Sequence, residues 1–181
     1  MVHAIDVARF FINIANTIPT YDLMTNLRVN KLLYFAQGEC LRRLGYPLFD
    51  DDIEAWTYGP VVPYVYQTYK KFGRGPIKED MVNDDNTFTE QEKDVLFDVL
   101  RNYGKFSTST LVSMSHLEKS PCATAHQNGD KHAKISSESI KCFFKKLPSI
   151  SQFTVPYKPS DCVGYRDKDG YLVLPKELDD D

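Results

Sequence analysis

The sequence contains no uninterrupted run of about 18 apolar residues, the length that a membrane-spanning helix requires. Its first stretch, MVHAIDVARFF, places polar and charged residues where a secretory signal peptide needs an apolar core. The cysteines include no Cys-x-x-Cys pair and lie far apart, at Cys40, Cys122, Cys142 and Cys162. We therefore expect a cytoplasmic protein with reduced thiols and no membrane partner.

The sequence motifs of common nucleotide-binding and metal-dependent enzymes are also missing. There is no Gly-x-x-x-x-Gly-Lys-Ser/Thr phosphate loop and no Gly-x-Gly-x-x-Gly. The spacing of His116, Cys122, His126 and His132 matches neither zinc-finger pairs nor His-Glu-x-x-His. We predict a protein that is not an enzyme and has no metal or other cofactor. A zinc-dependent hydrolase that uses Cys122, His126 and His132 stays open as an alternative, which elemental analysis would test.

A surplus of positive charge, typical of proteins that bind nucleic acid, is absent as well. The formal net charge is −3, from 22 Lys and Arg against 25 Asp and Glu. The last predicted helix carries Lys141, Lys145 and Lys146, but so few cations neutralise few phosphates. We therefore do not expect nucleic acid among the partners.

Helical periodicity is the main pattern that is present. Apolar residues recur at steps of three and four in a first segment, which stops before Pro19. A second segment, residues 25–44, is apolar on more than one face and is followed by Gly45. We predict that this segment is the central, buried helix. Gly38 inside it indicates the close approach of a neighbouring backbone.

Local capping signals mark the later helices. Thr89 and Glu92 form a capping box, and Ser136 precedes the last apolar stripe. Another short helix should begin at Ser107 or Ser109, whereas residues 121–134 have the polar composition of a solvated loop. The predicted fold class is mainly α: a compact single-domain bundle of about six helices with a short β-like corner and an extended or hairpin C-terminal tail.

The tail is distinguished by its composition. After residue 148, prolines and alternating apolar residues flank Asp169 and Gly170, which form a hairpin-turn signal. We predict two parts of the chain. Residues 1–148 form the helical domain, and residues 149–181 form an extended tail packed on or near it.

Residues 53–73 read IEAWTYGPVVPYVYQTYKKFG and contain the only tryptophan of the chain. Residues 53–58 are strand-like in composition, but a single short strand is not a sheet. Gly59 and Pro60 break that strand, and Pro63 suits the first turn of a helix that ends at Gly73. Residues 56–63, which we call the corner, should therefore be a stiff entry into an aromatic helix.

Tyrosines crowd in and after the corner. Tyr58, Tyr64 and Tyr69 cannot all share one buried face at this spacing. Exposed tyrosine on a rigid element is favoured in protein interfaces, because it offers a large contact area with few rotatable bonds to immobilise. The corner and its helix therefore qualify as a docking surface.

Residues 31–73, KLLYFAQGECLRRLGYPLFDDDIEAWTYGPVVPYVYQTYKKFG, closely resemble the signature of the Panacea domain, the SocA-like antitoxin family. That signature joins a Lys-Leu-Leu-Tyr-Phe-Ala-Gln helix to Gly-x-Pro-Leu-Phe and then to Glu-Ala-Trp-x-Tyr-Gly-Pro-Val-Val-Pro. A weaker resemblance continues through Ser115-His116 and Pro121-Cys122, where the family commonly shows Thr-His and Pro-Trp. The whole resemblance covers roughly residues 7–147.

The resemblance implies a mainly helical, non-enzymatic domain of bacteria and their phages that neutralises a cognate protein toxin by direct contact. We expect toxin contact through Tyr58, Pro60, Tyr64, Tyr69 and Lys71. We expect the corner to be shaped by Trp56, Gly59 and Pro63, and supported from the central helix by Leu33, Tyr34 and Gln37. The alternative that the resemblance leaves open is a proteolytic adaptor with a protease as second partner, which would shorten the half-life of the toxin. The oligomeric state stays open.

Overall fold

The computed structural model describes residues 2–17, 23–78, 87–127, 132–148, 165–166 and 172–173. These residues are mainly helical, as predicted. The helices are α1 (Ala4–Thr17), α2 (Asn26–Arg43), α3 (Pro63–Tyr69), α4 (Glu90–Tyr103), α5 (Thr108–Ser115), α6 (Pro121–Gln127) and α7 (Ser137–Lys146). The strands are β1 (Glu54–Trp56), β2 (Gly59–Val61), β3 (Ala133–Lys134), β4 (Tyr165–Arg166) and β5 (Leu172–Val173). A 3-10 turn, Lys70–Phe72, directly follows α3.

Helix α2 is the centre of the fold and contacts α1, α3, α4, α5 and α7. The side chain of Thr25 accepts a hydrogen bond from the backbone N–H of Arg28 at 3.3 Å and so caps its first turn. At the other end the N–H of Leu44 donates to the carbonyl of Cys40 at 2.8 Å. Almost all of its 18 residues are buried, so the prediction of a central helix is confirmed.

Gly38 allows α7 to pack closely on α2, but not in the way the sequence suggests. The group above it is the ring of Phe144, not a backbone, and a Cβ at residue 38 would overlap that ring. Phe144 is fully buried and meets the rings of Tyr34 and Phe35 edge-on, at centroid distances of 5.5 and 6.2 Å. The expected close approach exists, and a side chain makes it.

The capping predictions for the later helices are confirmed. At α4, Thr89 Oγ1 accepts from the N–H of Glu92 at 3.3 Å, while the N–H of Thr89 donates to Glu92 Oε2 at 2.8 Å. Ser107 and Ser136 each accept from the backbone N–H three residues later, at 3.1 and 3.2 Å. These side chains fix where α4, α5 and α7 begin.

The structure corrects two predictions about irregular segments. Residues 53–58 do belong to a sheet, in the order β2-β1-β3, because β1 pairs antiparallel with both neighbours. Residues 121–134 are not simply a loop. They include α6 and β3. Just before β3, the N–H of His132 donates a hydrogen bond to the carbonyl of Ala55 in β1 at 3.1 Å.

The described part of the tail is a two-stranded antiparallel pair. Tyr165 pairs with Val173 and Arg166 with Leu172, so the predicted hairpin pairing is confirmed for these strands. The predicted turn at residues 169–170 and the packing of the tail lie outside the described residues, and the boundary at residue 148 stays a prediction. Among the described residues no helix has the length and apolarity to cross a membrane.

Candidate functional site

The corner contains the turn and the second strand of a β-hairpin that packs on α5. Strands β1 and β2 pair with Trp56 opposite Gly59, and Thr57 and Tyr58 form the turn between them. Gly59 has a φ of +98°, which favours glycine. A Cβ at residue 59 would overlap the hydroxyl of Ser115 and lie 3.1 Å from the ring of His116. Glycine therefore lets the hairpin touch α5. Ser115 and His116, which belong to the weaker part of the family resemblance, lie directly beneath the corner.

Lys31 supports the hairpin from α2. Its side chain is fully buried, and its Nζ donates a hydrogen bond to the carbonyl of Pro60 at 2.7 Å. Burial lowers the pKa of Lys31 to about 7, against a weaker opposing influence from the Cys122 thiol. A buried ammonium is costly without a partner, so this bond ties the position of β2 to that of α2.

Two asparagines connect α2 to the start of α3. Asn30 Oδ1 accepts from the N–H of Val62 at 2.9 Å, and Asn30 Nδ2 donates to the carbonyl of Asn26 at 3.0 Å. Asn26 Nδ2 in turn donates to the carbonyl of Tyr66 at 2.9 Å. Together with Lys31, these asparagines form hydrogen bonds from α2 to β2, to the entry of α3 and to α3 itself.

The residues predicted to support the corner from α2 are buried, and Gln37 and Tyr34 contact other parts of the fold. Gln37 accepts from the N–H groups of Leu48 and Phe49 and donates to the carbonyl of Phe49, so it holds the segment before β1. Tyr34 packs its ring against Phe144 of α7, and Leu33 is a core residue. Support of the corner by Leu33, Tyr34 and Gln37 stays a prediction.

Trp56 and Pro63 lie at the two ends of the corner. Trp56 Nε1 donates to Glu54 Oε2 at 2.9 Å, and its ring meets Tyr66 and His132 at centroid distances of 4.8 and 4.7 Å. The indole thereby spans β1, α3 and the residue before β3. Pro63 is the first residue of α3, where the missing N–H is not needed.

The outer surface of the corner and α3 is smaller than the sequence indicates. Tyr64 is 62% exposed and Lys71 is exposed, whereas Tyr58 is partly buried. The expected exposure of Tyr69 is wrong, since only 1% of its surface is accessible, and Pro60 is buried too. Tyr69 lies five residues after Tyr64, about 140° around the helix, on the face that meets the core.

Among the described side chains, His116 lies beside Cys122, whereas His132 lies beside a carboxylate of β1. Cys122 is fully buried with its Sγ 4.0 Å from His116 Nε2, and burial raises the pKa of its thiol to about 11. His132 instead lies beside Glu54, with Nδ1 to Oε2 at 3.6 Å. The His126 side chain lies outside the described residues. Within the residues that are described, no group of three or more His, Cys, Asp or Glu side chains could hold a metal ion.

Sequence reasoning missed most of the buried polar side chains of α2. Besides Lys31 and the asparagines, Arg28 donates to the carbonyls of Gly104 and Phe106 at 2.6 and 2.8 Å, which fixes the end of α4. Glu39 pairs with Arg42 at 2.6 Å and accepts from Tyr103 Oη at 3.3 Å. The signal was available: polar residues on a helix buried on all faces must have internal partners.

Comparison with known proteins agrees with the sequence pattern. Residues 29–121, from α2 to the first residue of α6, match the family described as antitoxin SocA-like, Panacea domain. The chain belongs to this family. The match is shorter than the resemblance over residues 7–147 suggested. It includes the corner together with Asn30, Lys31 and Ser115 beneath it.

A curated relative gives the same assignment. Antitoxin SocA of Caulobacter vibrioides (strain NA1000 / CB15N) is 34% identical over 108 residues, and the match covers 54% of this chain and 57% of that protein. The chain thus aligns with little more than half the length of this relative. No solved structure matches the chain.

Proposed function

We propose that this protein is an antitoxin that neutralises a cognate protein toxin by covering part of the toxin's surface. The observation that carries the proposal is the contrast between the two sides of the corner and α3. Hydrogen bonds from Lys31, Asn30 and Asn26 fix the inner side, while Tyr64 on the outer side is 62% exposed. A surface that is rigid before binding loses little conformational entropy on association.

The contact residues that we propose are Tyr64 and Lys71, with Tyr58 at the edge of the same surface. Tyr64 offers an aromatic ring on a short helix, and tyrosine is among the residues that contribute most to protein interfaces. Pro60 and Tyr69 are removed from the contact set because they are buried, and they serve the surface from the inside. Family membership and the name of the relative support the antitoxin role.

Co-expression with the protein encoded by the adjacent gene tests this function. Wild-type protein should restore growth, and the Tyr64→Ala/Lys71→Ala double variant should bind the toxin about 30-fold more weakly. Tyr46→Ala is the matched control, because Tyr46 is 41% exposed and lies outside the corner and α3. Circular dichroism and thermal unfolding establish that each variant is folded. Undiminished rescue and binding by the folded double variant would reject this contact surface.

A further inference from the structure

The segment that contains α3 has an unusual charge for this protein. Residues 55–78 contain four basic residues, Lys70, Lys71, Arg74 and Lys78, and no Asp or Glu. The whole chain, in contrast, has 22 basic and 25 acidic residues. Positive charge is therefore concentrated in the segment that follows Tyr64, whereas the residues outside 55–78 sum to 18 basic and 25 acidic side chains.

Two tight turns shape the backbone that carries these cations. The N–H of Gly73 donates to the carbonyl of Lys70, and the N–H of Gly75 donates to that of Phe72, both at 3.0 Å. The following segment is anchored by a hydrogen bond at 2.8 Å, which the N–H of Ile77 donates to the carbonyl of Met24. The backbone that carries the basic residues is thus fixed to the body of the protein on both sides.

The lysines of this segment point to solvent. Lys70, Lys71 and Lys78 are exposed, and Arg74 is partly exposed. Lys70 Nζ lies 6.0 Å from the centre of the Tyr66 ring. Neither Lys70 nor Lys78 forms an ion pair with any carboxylate of the described residues. We call residues 70–78 together with Tyr64 the basic face.

We infer that the basic face binds an acidic surface on the protein toxin, with Tyr64 as the aromatic anchor and Lys70 and Lys78 as charges that accelerate association. This inference rests on the function proposed above and adds the chemistry of the partner. Complementary charges at the edge of an interface raise the association rate and favour the correct partner over others. Nucleic acid fits less well, because the chain is net negative and the face offers only a few cations for phosphates.

The test uses the full chain and the toxin whose growth arrest it relieves. Raising NaCl from about 50 to about 300 mM should increase the Kd about tenfold, because screening weakens exposed charge pairs. At low salt Lys70→Glu/Lys78→Glu should also raise the Kd about tenfold, mainly through slower association, and should weaken growth rescue. Calorimetry and stopped-flow mixing measure the two quantities.

The control variant carries the same change of charge at a different place. Lys105→Glu/Lys145→Glu reverses two exposed lysines on other elements, and its Kd should stay within about twofold of wild type. Equal losses in both double variants would mean that only net charge matters, and the inference would be overturned.

The remaining outcomes distinguish failure of this inference from failure of the proposed antitoxin function. If wild-type protein does not restore growth, the antitoxin proposal fails and the inference fails with it. If wild-type protein and Lys70→Glu/Lys78→Glu restore growth and bind equally well, only the acidic partner is rejected. Binding of a single-stranded DNA of about 20 nucleotides that is lost in this variant would assign the face to nucleic acid and overturn the inference.

Discussion

At the scale of single residues, Lys31 connects the fold of this protein to pH. Burial lowers its pKa from 10.5 to about 7, so above about pH 7 the folded protein favours the neutral amine while the unfolded chain keeps the charged form up to higher pH. Between these two pKa values the unfolded state binds more protons than the folded state. The free energy of unfolding therefore rises with pH in that window, and below about pH 7 the full penalty of burying Lys31 is present.

We predict that wild-type protein gains about 1 to 2 kcal/mol of stability between pH 7 and pH 8.5 through Lys31. Lys31→Met has no ionisable group at this position and should lose that part of the pH dependence. Urea unfolding of both proteins at the two pH values gives the difference, from which the titration of all other groups cancels. Parallel pH profiles for wild type and Lys31→Met would contradict the assignment.

The residue scale also shows where sequence reasoning succeeded and where it failed. Tyr64 was expected to be exposed and is, but the same argument exposed Tyr69 wrongly. Val62, Val65 and Tyr69 follow at steps of three and four, and all three are buried. Consistent use of that spacing would have placed Tyr69 inside. The partner of a buried polar residue such as Lys31, in contrast, is 29 positions away in the chain, and no local pattern indicates it.

At the scale of elements, the contact between the β1–β2 hairpin and α5 depends on glycine at residue 59 for two reasons. Gly59 needs a positive φ, which strains any residue with a side chain, and it needs empty space beside Ser115 and His116. Gly45 shares the first requirement, with a φ of +87°, but an added Cβ would meet nothing within 4 Å. Substitutions at these two glycines therefore distinguish the cost of backbone strain from the cost of steric overlap.

Alanine substitutions at these glycines should differ in cost. Gly45→Ala should lower the free energy of unfolding by about 1 kcal/mol, from strain alone, and Gly59→Ala by about 3 kcal/mol, from strain and overlap together. Chemical denaturation of the two variants measures both values. Equal losses would show that Ser115 and His116 move aside without cost, and that the hairpin is not held in position by α5.

The elements that the sequence predicted are those whose signals are local. Thr89, Ser107 and Ser136 each bond a backbone N–H three residues away, so the start of a helix is encoded where it occurs. The sheet could not be predicted in this way. Strand β3 has two residues, and it exists because it pairs with β1 some 80 positions earlier in the chain. Short strands of this kind are fixed by tertiary contacts.

At the scale of the whole molecule, α2 organises the protein. It contacts five other helices and β2, and its buried polar residues bond to the end of α4, to β2, to α3 and to the segment before β1. Each of these bonds holds a loop, a helix end or a short element in position. Apolar contacts alone would hold such segments less precisely. A docking surface made from a short hairpin and a short helix can be rigid because its support is this central helix.

The same arrangement bears on the predicted boundary at residue 148. One hydrophobic core of buried residues, which runs from Ala4 to Phe144, takes side chains from each of α1 to α7. The helical domain should therefore fold without residues 149–181. We predict that a chain truncated after Pro148 unfolds cooperatively, with a thermal midpoint within about 4 °C of wild type.

A second truncation supplies the control for this prediction. A chain that ends after Ser136 lacks α7 and with it Ile140 and Phe144, which are buried against the rest of the core. Removing two buried side chains of this size costs several kcal/mol, about the whole stability of a small domain, so this shorter chain should not fold cooperatively. Scanning calorimetry distinguishes the two truncated chains. Failure of both to fold would make residues 149–181 part of the domain, because the core up to α7 would then not be sufficient.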